Sequence, residues 1–283
     1  MFPLTDITET GETADPTAGA PRVEAPHVEA LAARLGHRPT LLAVWAHPDD
    51  ESYLGGGLTG AVAAAGGRVV QVSATLGEHG TADPVANPPA QLAVRRRREL
   101  AHALAHLGTA SVTTLGFEDG TCDRVDDALG ARRIRTIIDA VEPDAVLTFG
   151  PDGVTGHADH RAVGRWTASA LASRRRQVPL LTAATQMAWP GDLIERMHRV
   201  DAFYPGHPRV TPGGPVHRVR VVGPLLEAKL AALGAHGSQV GPLQSALGAD
   251  GYRRLAAAEA YCAANPAAVA RLGGAAMHTS RAA

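Results

Sequence analysis

From Thr40 onward, short apolar runs alternate with segments of helical periodicity, and this alternation constrains the fold more than any other feature. Thr40-Leu-Leu-Ala-Val-Trp-Ala46 reads as a buried strand, and residues 54–65, small and apolar, read as a helix stopped by Gly66-Gly67. Arg68–Ala74 gives a second strand, residues 90–107 a helix, and Ser111–Leu115 a third strand. Residues 127–141 are helical, Ala145–Phe149 is strand four, and 161–173 is again helical. Strands that alternate with helices predict an α/β fold of the Rossmann-like, doubly wound kind, with a mainly parallel sheet and helices on both faces. Beyond residue 180 the pattern weakens. Leu180–Met187 and Val216–Val222 read as further strands, and Pro224–Ala235 and 250–263 as helices.

Residues 1–38 are expected to form a flexible N-terminal arm, rich in Thr, Glu, Pro, Gly and Ala, that ends in a short lead-in helix over 27–36. Residues 39–283 are expected to form one domain. Apolar residues make up 45% of the chain, enough for a sizeable core. The 27 basic residues against 28 acidic ones give no electrostatic case for nucleic acid or an anionic membrane. The two cysteines, Cys122 and Cys262, fit neither a disulfide framework nor a cysteine metal site. With no apolar stretch long enough to span a bilayer and no signal-like start, a cytoplasmic protein is expected, with homo-oligomerisation left open.

Chemistry concentrates at two strand ends. Strand one runs into Ala46-His47-Pro48-Asp49-Asp50-Glu51, and strand four into a glycine-rich loop closing on Gly156-His157-Ala158-Asp159-His160. In an open α/β sheet, ligands bind beyond the carboxyl ends of the strands, and with strand order 3-2-1-4-5 these two loops meet at the switch point. Pro48 stiffens the first turn. Asp49 and Asp50 point in different directions, so one can bind a metal while the other stays free as a base. Together the histidines and carboxylates suit zinc. The first segment alone would also suit a helix N-terminus with capping acids. Gly55-Gly56-Gly57 nearby raises a nucleotide site, but the acids at the turn would repel a pyrophosphate. Of the 13 histidines, His102, His106, His198, His207, His217 and His278 lie in ordinary contexts.

The segment Ala46–Glu51 resembles the signature of the PIG-L (LmbE-like) zinc N-deacetylases, and Gly156–His160 resembles that family's second signature. Weaker similarities are Gly77-Glu78-His79-Gly80, Arg96 with Glu99-Leu100, Leu115–Gly120, and Lys229 with His236, Ser238 and Gln239; the whole spans roughly residues 40–240. The resemblance implies one zinc ion per chain, held by His47, Asp50 and His160, with Asp49 as general base. It implies that His157 steadies the oxyanion or protonates the leaving amine, and that Asp159 orients a site histidine. Substrate hydroxyls would be held by Arg96 and Asp119, although four consecutive arginines, Arg95–Arg98, leave the register open.

The activity implied is hydrolysis of the acetamide of an N-acetylated amino sugar, an N-acetylglucosamine-type conjugate, giving acetate and a free amine. An amidase of a thiol-sugar conjugate, a deacetylase of a natural-product glycoside and a non-catalytic sugar-binding protein remain as alternatives. Branches of the family that process mycothiol carry Gly-Gly-Tyr before the second motif; here the run is Gly153-Val154-Thr155, which weakens a mycothiol assignment. The loop Leu76–Pro89 is expected either to be disordered or to wall the crevice, with Glu78 accepting from a sugar hydroxyl. Around Lys229, the only lysine, a solvated helix face competes with a crevice wall that places His236 near the metal and lets Gln239 fix a loop.

Overall fold

The computed structural model describes residues 25–109, 111–209 and 214–273, so most of the expected N-terminal arm lies outside the described residues. The lead-in helix α1 (Val28–Leu35) buries Val28, Leu31, Ala32 and Leu35, an i, i+3, i+4, i+7 stripe. It is followed by β1 (Thr40–Trp45), α2 (Asp50–Ala64), β2 (Arg68–Ser73), α3 (Pro89–His106), β3 (Ser111–Thr114), α4 (Asp127–Val141), β4 (Ala145–Phe149), α5 (Ala158–Ala172) and β5 (Leu180–Ala183). The second half adds α6 (Gly191–His198), β6 (Val216–Arg220), α7 (Gly223–Ala235), α8 (Gly241–Ala256), β7 (Ala258–Ala263) and α9 (Pro266–Leu272).

The seven strands form one sheet in the order β3-β2-β1-β4-β5-β7-β6. The first five are parallel, with β1 between β2 and β4, so the chain winds outward in both directions from the β1/β4 boundary. Strands β1 and β4 are apolar and almost wholly buried, as a parallel sheet covered on both faces requires. Their side chains share a continuous core with α1, α2, α4 and α5.

The mixed edge departs from expectation. Residues 250–263 do not form one helix: α8 stops at Ala256 and the chain turns into β7, antiparallel to both β5 and β6. Ala-Glu-Ala-Tyr-Cys-Ala has good helix formers, but pairing on both sides buries it as a strand, and tertiary contacts override the propensity. Strand β5 is likewise shorter than Leu180–Met187, because residues 185–187 form a single tight turn of helix.

Two boundaries matter for the site. Helix α2 starts at Asp50 and α5 at Ala158, earlier than the periodicity predicts. The polar motifs therefore lie at the entries to the helices that leave β1 and β4, with Asp50 and Glu51 opening α2 and Asp159 and His160 in the first turn of α5. Among the described residues, no helix is long and apolar enough to cross a membrane.

Candidate active site

The first turn after β1 is built around an unusual backbone. Asp49 has φ +117°, a region side chains rarely adopt, directly after Pro48. Its N–H donates to Glu51 Oε2 at 2.9 Å, so the acid two residues on stabilises the turn. Glu51 is buried in turn by Ser52 Oγ at 2.6 Å and His236 Nε2 at 2.7 Å. The loop after β4 is also unusual. Gly153, Val154 and Gly156 have positive φ, and Thr155 N donates to Gly153 O at 2.7 Å across Val154, a tight turn rarely seen with a β-branched centre.

These turns bring His47, Asp50 and His160 together. His47 Nδ1 lies 3.2 Å from His160 Nε2 and 3.6 Å from Asp50 Oδ2, and His160 Nε2 lies 3.3 Å from Asp50 Oδ1. Ligand atoms bound to one zinc at about 2.0–2.2 Å lie about 3.3–3.6 Å apart, and each histidine nitrogen has one or the other Asp50 oxygen at such a distance, so the three side chains suit a shared cation. The opposite ring nitrogens are also placed as ligands require. His160 Nδ1 faces Gly153 O at 3.0 Å, and His47 Nε2 faces Asp119 at 3.0 Å and Asp159 at 3.3 Å.

His47 also groups with Asp119 and Asp159, and separately with His157 and His160, closely enough to hold an ion. The first of these is already committed. Asp159 accepts from Gly120 N at 2.8 Å and Cys122 N at 3.0 Å, and Asp119 accepts from His79 N at 2.9 Å. These carboxylates orient His47. Burial disfavours the protonated His47 ring, yet Asp119, Asp159 and Asp50 together raise its pKa well above the usual value. The cluster thus carries more negative charge than its own side chains balance, which is what a cation site needs.

Asp49 stands apart from these groups. Burial raises its pKa to about 6, against the pull of Arg96. Burial acts on Asp50 in the same sense, but the two histidines outweigh it and lower its pKa to about 2. The environments of the adjacent carboxylates therefore push their pKa values apart, with Asp50 held firmly as an anion and Asp49 the more easily protonated of the two. Arg96 is the buried member of its arginine run; it donates to Gly77 O at 2.8 Å, to Pro48 O, and to Asp49 Oδ2 at 3.2 Å.

His157 caps α5. Its Nδ1 accepts the Asp159 N–H at 3.1 Å, so in the neutral ring the proton sits on Nε2, available to the crevice the ring lines. Burial lowers its pKa, with the neighbouring His47 acting in the same direction.

A crevice of about 590 Å³ opens over this cluster. His47, Asp49, Asp50, Arg96, Asp119, His157 and His160 all line it, as does Gln239, whose side-chain amide donates to Gly80 O at 3.2 Å and so ties the β2–α3 loop to the segment after α7. Two expected substrate contacts lie elsewhere. Glu78 accepts from Asp119 N at 3.0 Å and faces a separate groove with Leu76 and Pro89; its neighbours His79 and Gly80 line the crevice instead. His236 is fully buried behind Glu51 and does not line the crevice. Lys229 is not on a solvated face: it is fully buried and pairs with Glu259 at 2.6 Å. Tyr53, Trp189, Met197, Tyr204 and Leu243, none marked by a motif, also line the crevice.

Fold and cluster together define an α/β protein with a metal-capable centre at the switch point of its sheet. The family model described as PIG-L, GlcNAc-PI de-N-acetylase, matches residues 42–171. The chain is 30% identical to 1D-myo-inositol 2-acetamido-2-deoxy-alpha-D-glucopyranoside deacetylase 1 of Saccharopolyspora erythraea, over 71% of this chain and 78% of the relative. It is also 30% identical to a probable N-acetyl-alpha-D-glucosaminyl L-malate deacetylase 2 of Bacillus cereus, over 70% and 83%. Its fold resembles the zinc-inhibited form of teicoplanin deacetylase Orf2, with TM-score 0.58 and 19% identity over 78% of this chain and 96% of that one. The chain belongs to the PIG-L (LmbE-like) family.

Proposed function

We propose that this protein is a metal-dependent N-deacetylase that hydrolyses the acetamide of an N-acetylated amino-sugar conjugate, releasing acetate and a free amine. The observation that carries the reading is the separation of the adjacent carboxylates, with Asp50 set between His47 and His160 while Asp49 stands apart from them, lining the crevice and paired with Arg96. The relatives' names point to the same reaction class.

His47, Asp50 and His160 would hold one zinc ion, which when bound activates a water and polarises the acetamide carbonyl. Asp49 takes the proton of the attacking water; its raised pKa places it near the range in which a base is effective at neutral pH. Arg96 keeps Asp49 in position by spanning it and the Pro48 carbonyl. His157 offers its Nε2 proton, first as a hydrogen bond to the developing oxyanion and then to the departing amine. Asp119 and Asp159 fix the His47 ring. Residues 39–283 act as one catalytic domain in the cytoplasm, without nucleic-acid or membrane partners.

The test is chelation and restoration. Protein stripped of metal should release no acetate from N-acetylglucosamine conjugates, and about one equivalent of zinc per chain should restore release. Turnover that survives complete removal of metal would refute the metal-dependent reading.

A further inference from the structure

The crevice has two chemical characters. Its catalytic part is polar, whereas one wall is lined by Trp189, Met197, Val200, Ala202, Pro242 and Leu243. This apolar wall comes from the turn after β5, from α6 and the residues that follow it, and from the first turn of α8. It is fixed in place: Arg196 of α6 donates to Ala246 O of α8 at 3.0 and 2.9 Å. Tyr204 joins the two parts, its ring edge-on to His157 at 5.2 Å and its backbone N–H donating to Thr155 O at 2.9 Å.

At about 590 Å³ the crevice is in the range that encloses a drug-sized ligand, more than one sugar ring requires. Among the described residues on this wall, only Trp189 and Tyr204 carry a side-chain N–H or O–H. The Trp189 indole N–H is itself buried and so presents no donor surface to a ligand in the crevice. A hydroxyl-rich group laid here would exchange water for a surface that cannot satisfy it, whereas an apolar group would gain from burial.

Resting on the deacetylase reading, we propose that the substrate is amphipathic, an N-acylated amino sugar that carries an apolar group seated on this wall. The group is either the aglycone or a lengthened N-acyl chain, which share the same chemistry here. Hydroxyl-rich aglycones such as inositol are disfavoured.

The test compares the zinc-loaded full chain on four probes. These are the methyl, cyclohexyl and myo-inositol 2-acetamido-2-deoxyglucosides, and the methyl glucoside carrying N-hexanoyl in place of N-acetyl. Cyclohexyl and inositol share one carbon skeleton and differ in their hydroxyls. The inference predicts a kcat/KM at least about tenfold higher for cyclohexyl over inositol if the aglycone is the apolar group, or for hexanoyl over acetyl if the acyl chain is. The ratio should fall toward one in Leu243→Asn, and in Val200→Thr should the first variant fold poorly. Preference for the inositol conjugate, with no gain from hexanoyl, would overturn it. If no probe is hydrolysed, the deacetylase reading fails. Calorimetric binding of the cyclohexyl–inositol and hexanoyl–acetyl pairs then decides the apolar wall by itself: tighter binding of the apolar member of either pair supports it, and tighter binding of neither overturns it.

Discussion

Replacing Lys229 by Met should destabilise the protein severely, although Lys229 does not itself line the crevice. Lys229 and Glu259 are both fully buried and lie 2.6 Å apart, between α7, β7 and α2. Glu259 also accepts from Gly57 N at 2.7 Å, from Leu58 N at 3.1 Å and from the Tyr261 hydroxyl, while Lys229 Nζ donates to Tyr53 O at 3.2 Å. The pair thus inserts into the backbone of α2, the helix that carries Asp50. The glycine run makes room for it: a methyl on Gly57 would lie 2.7 Å from Glu259 Oε2, and one on Gly56 would lie 3.1 Å from Lys229 Cγ. Lys229→Met keeps the apolar stem but leaves the carboxylate charged and buried. Removing one partner of such a pair costs about 3–5 kcal/mol. A chain of this size loses about 2–4 °C per kcal/mol, so Tm should fall by roughly 6–20 °C. Urea denaturation followed by circular dichroism measures the loss. Glu259→Gln should cost a comparable amount, and the double variant less than the sum, because the two changes share one interaction. A loss below about 1 kcal/mol for Lys229→Met would match an exposed pair and refute the buried-charge account.

Two further variants test the support of the site. His236→Ala should lower kcat about 10–100-fold with little change in KM or metal content, because His236 acts through Glu51 on the Asp49 backbone; unchanged kcat would make it purely a packing residue. Glu78→Ala should reduce kcat/KM by the same factor for a full sugar conjugate and for a minimal acetamide, since its carboxylate braces Asp119 and does not face the crevice; a selective loss on the sugar would return Glu78 to substrate binding.

The parallel half of the fold was legible because buried parallel strands are near-continuous apolar runs, and α4 and β4 fall where the periodicity put them. The antiparallel edge was not: β7 is Ala-rich, and only its two pairing partners, distant in sequence, make it a strand. The convergence of the two His/Asp motifs followed from strand order alone. The arginine register could have been resolved, since Leu92, Arg96, Leu100 and Ala103 form one buried helical stripe that excludes Arg95, Arg97 and Arg98. Lys229 gave no such signal, because its partner Glu259 lies in the misread strand. Residues 189–204 and 242–243 carry no motif, so the apolar wall emerged only with the packing of α6 against α8.

The central claim is that one acid of the Asp49-Asp50 pair holds the metal while the other moves the proton, and Asp49→Asn separates the two roles most directly. Asparagine keeps the shape but cannot accept the water's proton. Metal analysis and acetate release should be measured on the same zinc-loaded sample. The account predicts about one zinc per chain, as in the unaltered protein, with kcat lower by roughly 10²–10⁴-fold. Zinc retained with near-normal turnover would contradict Asp49 as the base, and loss of the zinc itself would place Asp49 among the ligands.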